Sequence, residues 1–208
     1  MKRPSGKACL WVVSAPSGAG KTSLVRALME SEPNLCFATS YTTRPKRPGE
    51  VHGVDYLFVD GAEFDAMVER GEFLEHATVF DNRYGTGRKQ VESELAAGRD
   101  VMLEIDWQGA HQVRQRMPEA RSIFILPPSR EALEARLRQR GTDSDEVIRR
   151  RLDEARAEIG HCLEFDFAVI NLDFDRALDE LRRIIAGDEG GLAADRPEIR
   201  ALVDRLLQ

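Results

Sequence analysis

The sequence has little of what several classes of protein require. Its three cysteines, Cys9, Cys36 and Cys162, are an odd number without metal-site spacing, so we expect no disulfide framework and favour a reducing compartment. The four histidines are scattered, without the spacing of metal ligands. No apolar run is long enough to cross a membrane, and Cys9–Val13 is too short for a signal-peptide core. We therefore expect a cytoplasmic protein without a membrane partner.

An excess of positive charge is also missing. The 208 residues include 30 lysines and arginines against 36 aspartates and glutamates, a formal net charge of −6. Proteins that bind duplexes usually need clustered basic residues in excess, so we expect no nucleic-acid partner. Small anionic ligands need only a local basic patch. The hydrophobic share of 42% is ample for one domain, or for one core with insertions.

Apolar segments alternate with segments of helical period along most of the chain. The apolar segments are Leu10–Val13, Leu35–Thr39, Val101–Ile105, Ser122–Leu126 and Phe167–Ile170. This alternation is typical of an α/β fold with a doubly wound parallel sheet. Helical spacing of apolar residues also predicts a closing amphipathic helix over Pro197–Leu207.

One segment, residues 41–88, interrupts this alternation. It begins with a basic loop rich in proline and glycine and continues with short predicted strands at Tyr56–Val59 and Phe73–Phe80. Between these strands, Asp60 with Glu63 three residues later predicts the start of a helix through a capping box. We interpret the segment as an inserted α+β lobe.

A second interruption is rich in arginine and surrounds the turn at residues 141–144. We interpret it as a mobile lid. The predicted organisation is a core of residues 8–40 and 89–208, the inserted lobe at 41–88, and the lid at 136–152 within the core.

A phosphate-binding loop follows the first predicted strand. It comprises Ala15, Pro16, Ser17, Gly18, Ala19, Gly20, Lys21 and Thr22. In such a loop the backbone N–H groups converge on phosphate oxygens at a helix N-terminus, the lysine adds charge and the hydroxyl holds magnesium. The general motif has glycine where this chain has Ala15. The alternative is a plain turn with a solvated lysine, but such a turn does not require Gly-x-Gly-Lys-Thr directly after a strand.

Basic side chains along the chain are candidates for phosphoryl transfer, which mainly needs aligned phosphates and neutralised charge. They are Lys21, Arg44, Arg47, Arg136, Arg140 and Arg151. Because Arg136 and Arg140 share one helical face, their guanidinium groups can engage one polyphosphate. The alternative is a solvated helix in which arginines pair with Glu131 and Glu134.

Several longer motifs lie downstream of the loop. They are Ser40–Glu50, Gly53–Tyr56, Phe73–Glu75, Tyr84–Thr86, Glu104–Gly109, Ile125–Ser129 and Val169–Asn171. With the loop and the arginine-rich segment, they resemble the motifs of guanylate kinases over residues 9 to about 186. The resemblance implies a P-loop kinase that transfers the γ-phosphoryl group of ATP to GMP with Mg²⁺ as cofactor. ATP and GMP would be its small-molecule partners, and the oligomeric state stays open.

The resemblance also implies roles for individual residues. Those that would hold the GMP phosphate are Arg44, Arg47, Tyr56 and Tyr84, and those that would read guanine are Ser40, Glu75, Thr86 and Asp106. The catalytic candidates are Lys21, Arg44, Arg136, Arg140 and Arg151. Thr22, and Asp106 through water, would hold magnesium, and Asn171 would lie near the adenine of ATP.

The chemistry of guanine favours the assignment of Glu75. Guanine presents N1–H and N2–H₂ side by side, so one carboxylate accepts from both, whereas adenine has an acceptor at N1. The alternative for this residue is an exposed strand carboxylate.

Two other functions use the same motifs. One is a small-molecule kinase for another acceptor, such as a ribosyl phosphate, and Glu75 with Ser40 argues against it. The other is an inactive module that binds phosphorylated protein segments through Arg44 and Arg47. The intact Gly20-Lys21-Thr22 sequence argues against this module, which has no need of an ATP site.

Overall fold

The computed structural model describes residues 7–79, 81–139 and 144–208. The strands are β1 (Leu10–Ser14), β2 (Leu35–Phe37), β3 (Tyr41–Thr42), β4 (Leu57–Phe58), β5 (Phe73–Val79), β6 (Asn82–Gly87), β7 (Asp100–Glu104), β8 (Arg121–Leu126) and β9 (Phe167–Ile170). The helices are α1 (Lys21–Ser31), α2 (Gly61–Glu69), α3 (Arg88–Ala96), α4 (Trp107–Arg116), α5 (Arg130–Gln139), α6 (Asp145–Gly160), α7 (Phe174–Ala186) and α8 (Pro197–Leu207).

A central sheet contains five strands in the order β2-β7-β1-β8-β9. β2 pairs with β7 in parallel, and β8 pairs with β9 in parallel. Parallel neighbours require crossover connections, which the intervening helices provide. All five residues of β1 are buried, as expected of a strand covered on both faces. The predicted α/β class with a mostly parallel sheet is confirmed.

The described residues divide into two compact units. The phosphate-loop unit comprises Val12–Pro33 and Arg121–Gln208, and the lobe unit comprises Lys7–Trp11 and Asn34–Ala120. This division follows packing within each unit. The predicted boundaries of the core, the inserted lobe and the lid stay a prediction.

A second sheet, within the lobe unit, has the strand order β4-β3-β6-β5. α2 begins where the capping pattern predicts, because the carboxylate of Asp60 accepts a 2.8 Å hydrogen bond from the Glu63 N–H. The strand predicted at Phe73–Phe80 is β5; Phe80 itself lies outside the described residues. Strand β6 was not predicted because its glycines are unfavourable in strands. Gly85 is needed there, since a Cβ atom would lie 2.9 Å from the Phe73 ring.

Helices α1, α5, α6, α7 and α8 belong to the phosphate-loop unit. The closing helix α8 spans the predicted residues, and its apolar face is buried at Ile199, Leu202, Val203 and Leu206. Across residues 7–79, 81–139 and 144–208, no helix has both the length and the apolar character to cross a membrane.

Candidate nucleotide-binding sites

The phosphate-binding loop lies between β1 and α1 and depends on two left-handed glycines. Gly18 has φ of +92° and Gly20 has φ of +93°, a conformation that costs glycine little and other residues more. The loop is closed by a 3.0 Å hydrogen bond from the Ala19 N–H to the Pro16 carbonyl. Among the described residues, the only non-glycine with positive φ is Asp81. Ala15 therefore has ordinary backbone geometry, which explains why the missing glycine is tolerated.

Both glycines also meet neighbouring side chains closely. A Cβ atom on Gly18 would lie 3.0 Å from Leu133 and from Leu137 of α5. A Cβ atom on Gly20 would collide with the side-chain amide of Asn171. Packing and backbone conformation thus require glycine at the same two positions.

The carbonyl of Ala19 joins the loop to Asn171, a predicted ATP-binding residue, and to Arg136, a predicted catalytic residue of the lid. The buried Asn171 amide donates to it at 2.7 Å, and Arg136 donates to it at 3.2 Å. Arg136 also donates to the Asn171 carbonyl at 2.8 Å. These contacts support the loop backbone. Two predictions stay predictions: that Arg136 engages a polyphosphate, and that Asn171 lies near the adenine of ATP.

Two residues of α6 contact the loop at Ser17. Arg151 donates to the Ser17 hydroxyl at 2.6 Å, and Glu158 accepts from the Ser17 N–H at 3.1 Å. Sequence reasoning missed Glu158, although its spacing of two helical turns from Arg151 places both on one face. Arg140, the remaining lid candidate, lies outside the described residues.

The lobe unit carries a second basic site around Arg44. Its guanidinium pairs with both oxygens of Glu50, at 2.6 and 3.1 Å, and lies 5.3 Å from the Tyr56 ring centroid. Glu50 also accepts from the Arg47 N–H at 2.8 Å. The hydrogen bond from Arg44 holds the pKa of Glu50 below its ordinary value. Because carboxylate and phosphate bind a guanidinium fork alike, the Glu50 carboxylate occupies the Arg44 guanidinium as a phosphate group would. Sequence reasoning gave Glu50 no role.

Two tyrosines lie next to this basic site. The rings of Tyr56 and Tyr84 meet edge to face, with centroids 5.9 Å apart. Burial raises the pKa of Tyr56 above its ordinary value of 10, so its hydroxyl is protonated at neutral pH. A neutral tyrosine hydroxyl donates hydrogen bonds to anions without adding negative charge.

Glu75 of β5 is a buried carboxylate. It is 2% exposed, and it accepts a 2.5 Å hydrogen bond from the hydroxyl of Thr86, which lies directly opposite on β6. Burial raises the pKa of Glu75 to about 7, although the Thr86 hydrogen bond opposes the shift. The alternative of an exposed strand carboxylate is thereby excluded. Ser40, another predicted guanine contact, is also buried.

Asp106 follows β7 and caps the N-terminus of α4. One carboxylate oxygen accepts from the Gly109 N–H at 2.8 Å, and the other accepts from the Gln108 amide at 3.3 Å. These bonds fix the orientation of a partly buried carboxylate at the end of a strand, where doubly wound folds bind ligands.

Comparison with a family model, with curated relatives and with a solved structure gives the same family. The sequence model described as guanylate kinase matches residues 7–188. A guanylate kinase of Methylococcus capsulatus is 54% identical over 198 residues, and one of Escherichia coli K12 is 52% identical over 200 residues; each alignment covers 95% of this chain and 97% of the relative. The crystal structure of guanylate kinase from Anaplasma phagocytophilum has a TM-score of 0.73 at 34% identity and covers 98% of both chains.

The chain belongs to the guanylate kinase family. Membership confirms the resemblance, the α/β P-loop kinase fold and the predicted activity, ATP-dependent phosphorylation of GMP. The functions of a kinase for another acceptor and of an inactive binding module are not supported.

The predicted residues of this guanylate kinase family member separate cleanly between the units. Within the phosphate-loop unit lie the predicted ATP-binding residues 15–22 and Asn171, together with Arg136 and Arg151. Within the lobe unit lie the predicted GMP-binding residues Ser40, Arg44, Arg47, Tyr56, Glu75, Tyr84, Thr86 and Asp106. Each set therefore belongs to one compact unit, although the residues of each set are far apart in sequence.

Proposed function

We propose that residues 15–22 and Asn171 bind ATP, that the lobe residues around Glu75 and Arg44 bind GMP, and that the γ-phosphoryl group passes directly between the two nucleotides. The observation that carries the proposal is the buried carboxylate of Glu75, held in place by Thr86. Burial of a carboxylate is costly unless a ligand or protein group supplies hydrogen bonds. Guanine supplies two donors to one carboxylate.

Selectivity for guanine follows from the same burial. GMP satisfies Glu75 with N1–H and N2–H₂, whereas AMP turns the N1 acceptor toward a carboxylate that also accepts. Sites that leave a buried polar group unpaired reject the wrong ligand by ~10⁴-fold or more. Thr86 orients the carboxylate, and Asp106 is the proposed second acceptor for the base.

Arg44, Arg47, Tyr56 and Tyr84 hold the phosphate of GMP in this proposal. The phosphate either displaces the Glu50 carboxylate from the Arg44 guanidinium or shares the guanidinium N–H donors with it. Phosphate carries more negative charge than a carboxylate and offers three oxygens, so it competes well for the fork. The tyrosine hydroxyls add neutral donors.

The reaction needs no protein nucleophile. A phosphate oxygen of GMP attacks the γ-phosphorus, and the bond from that phosphorus to the β–γ bridging oxygen breaks with its electrons leaving on ADP. The role of the protein is alignment and neutralisation of charge in the transition state. Lys21 supplies charge at the loop, and Arg44, Arg136, Arg140 and Arg151 are the proposed arginine contributors.

Magnesium fits the donor chemistry of the chain. Residues 7–79, 81–139 and 144–208 contain no cluster of three or more histidine, cysteine, aspartate or glutamate residues suited to a metal. Mg²⁺ in kinases uses few protein ligands and binds mainly through phosphates and water. Thr22 would hold the ion through its hydroxyl and Asp106 through water. When bound, Mg²⁺ would supply positive charge that neutralises the ATP phosphates.

The arginine-rich segment is proposed to act as a lid over ATP. Arg136 and Arg151 already contact the loop at Ala19 and Ser17, and their charge suits a triphosphate at that position. Closure of a lid excludes water, which otherwise hydrolyses ATP.

We further propose a cytoplasmic location without a nucleic-acid partner, from the net charge of −6 and from three cysteines that form no disulfide.

The decisive test of the proposed function is an assay of ADP release with MgATP and a panel of acceptors. We expect rapid ADP release with GMP and only background release with AMP, CMP and UMP, because only guanine pairs with Glu75. A reaction without acceptor measures ATP hydrolysis. Absence of ADP release with GMP, or equal rates across the panel, contradicts the proposal.

The pKa of Glu75 predicts a pH dependence of GMP binding. The ionised carboxylate accepts from guanine, and burial raises its pKa to about 7. The ionised fraction therefore rises from about one tenth near pH 6 to about nine tenths near pH 8, and the KM for GMP falls about tenfold over that range.

The Glu75→Gln variant is the control for this pH dependence. It retains the titration of the GMP phosphate but lacks the carboxyl group, so the difference between the two profiles isolates Glu75. Parallel profiles for both proteins would exclude Glu75 as the titrating group.

A further inference from the structure

One face of α4 contacts the strand that carries Glu75. Gly109, Gln112 and Arg116 recur at the spacing of a helix face, and each meets β5 or the Glu75 side chain. β5 is the terminal strand of the four-stranded sheet. A terminal strand presents backbone N–H and C=O groups outside the ladder, and these need other partners.

Gln112 provides both partners for one residue of β5. Its side-chain oxygen accepts from the His76 N–H at 3.2 Å, and its side-chain nitrogen donates to the His76 carbonyl at 2.6 Å. A primary amide thereby reproduces the donor and acceptor that a neighbouring strand would offer. His76 directly follows Glu75, so this pair of bonds fixes the backbone next to the carboxylate.

The other two residues of the face act on the remaining sides of Glu75. Arg116 donates to the carbonyl of Leu74, which directly precedes Glu75. At Gly109, a Cβ atom would collide with the Glu75 carboxylate. The backbone on both sides of Glu75 and its carboxylate thus meet one helix.

We propose that Gln112 is a positioning residue for the guanine-reading carboxylate of Glu75 and acts through the backbone of His76. The inference rests on the proposed role of Glu75 in reading guanine. Asp106 caps the same helix, so Gln112 also ties the strand that carries Glu75 to the helix whose N-terminus carries Asp106. The separation of the two base-reading carboxylates then depends on this side-chain amide, which does not itself touch the nucleotide.

The test is the variant Gln112→Met, which retains the length and helix propensity of the side chain but removes both hydrogen bonds to His76. Loss of alignment at a binding group raises the KM for GMP about tenfold, while the KM for ATP and kcat at saturating GMP stay near those of the parent. Kinetics with IMP, which lacks the 2-amino group of guanine, provide a second readout. The preference for GMP over IMP falls, because the 2-amino group loses its aligned acceptor.

Gln115→Met is the matched control on the same helix. Gln115 is exposed and contacts His111 at 2.9 Å, so the same substitution there leaves both KM values and the GMP preference unchanged. Thermal unfolding of all variants separates alignment from stability. If the role of Gln112 is merely structural, Gln112→Met lowers the melting temperature or lowers activity with GMP and IMP alike. In either case it leaves the preference for GMP over IMP intact. That result overturns the inference.

Two further variants keep the outcome decisive. Gln112→Glu keeps an acceptor for the His76 N–H but loses the donor to the His76 carbonyl, and it is expected to reduce the GMP preference too; if Gln112→Met does not fold, an unchanged preference in Gln112→Glu overturns the inference. Glu75→Gln tests the proposed function separately. If it leaves the GMP preference unchanged, the guanine site itself is wrong. If it abolishes the preference while Gln112→Met retains it, only the inference about Gln112 is wrong.

Discussion

Replacing Lys21 by methionine lowers kcat for GMP phosphorylation by about a thousandfold, because a preorganised positive charge at the transferring phosphate is removed. Lys21 is the first residue of α1, directly after the left-handed Gly20. In the proposed site its ammonium group acts together with the loop N–H groups, and methionine retains the length of the side chain but not the charge. The ADP-release assay at saturating ATP and GMP measures the loss.

The control for this prediction is Lys89→Met, which makes the same change of net charge on the exposed surface of α3. It should retain the parental kcat. Direct binding of GMP to Lys21→Met should also be close to parental, because the proposed GMP residues all belong to the lobe unit. A kcat within a few-fold of the parent would remove Lys21 from the catalytic residues.

Replacing Glu75 by glutamine reduces kcat/KM for GMP by about a hundredfold or more, because hydrogen bonds to a charged acceptor are worth about 1.5–3 kcal/mol each. The glutamine amide retains one acceptor, which can still receive the Thr86 hydroxyl, but it turns a donor toward the guanine donors. The KM for ATP should change little. Steady-state kinetics with GMP and AMP measure both the loss and the reduced discrimination.

Stability provides a check on the Glu75→Gln result. The pKa of Glu75 is about 7 in the folded chain and lies near the ordinary value of 4.5 when unfolded. The unfolded state therefore releases the proton first as pH rises, so this carboxyl destabilises the fold progressively between these two values, by about 3 kcal/mol above pH 7. Glutamine removes that cost, and the melting temperature near pH 8 should rise.

A matched variant, Glu69→Gln, changes an exposed carboxylate in the same unit and should affect neither GMP kinetics nor stability. If Glu75→Gln lost activity because it unfolded, its melting temperature would fall. A rise in melting temperature together with loss of GMP use separates binding from folding. Retained GMP preference would contradict the guanine assignment.

Sequence reasoning succeeded where the determining interactions are local. The Asp60 cap needs only the N–H of Glu63 three residues later, and the left-handed glycines of the phosphate loop need only their own backbone. The closing helix α8 follows from the period of its apolar residues. In each case, neighbouring residues contain a sufficient physical cause, although packing against distant side chains also requires glycine at Gly18 and Gly20.

Sequence reasoning missed residues whose partners are distant along the chain or whose role depends on sheet position. Glu158 meets Ser17 across 141 positions, and Gln112 meets His76 across 36. The glycines of β6 are unfavourable in a strand, yet Gly85 is needed because a larger side chain would collide with the Phe73 ring. A single sequence can place residues on one helix face, as it does for Glu158 and Arg151, but it does not show which distant residue that face meets, because those contacts are set by packing.

The sequence by itself determined that this chain is an α/β phosphate-binding protein, and its motifs placed it with the guanylate kinases. Those conclusions rest on residue types at fixed short spacings, which local chemistry dictates. Only the tertiary structure decided that Glu75 is buried against Thr86, that Glu50 fills the Arg44 fork and that Gln112 holds the strand beside the carboxylate. Burial and long-range hydrogen bonding arise when elements pack, and packing sets the pKa and the orientation of Glu75 on which its proposed recognition of guanine depends.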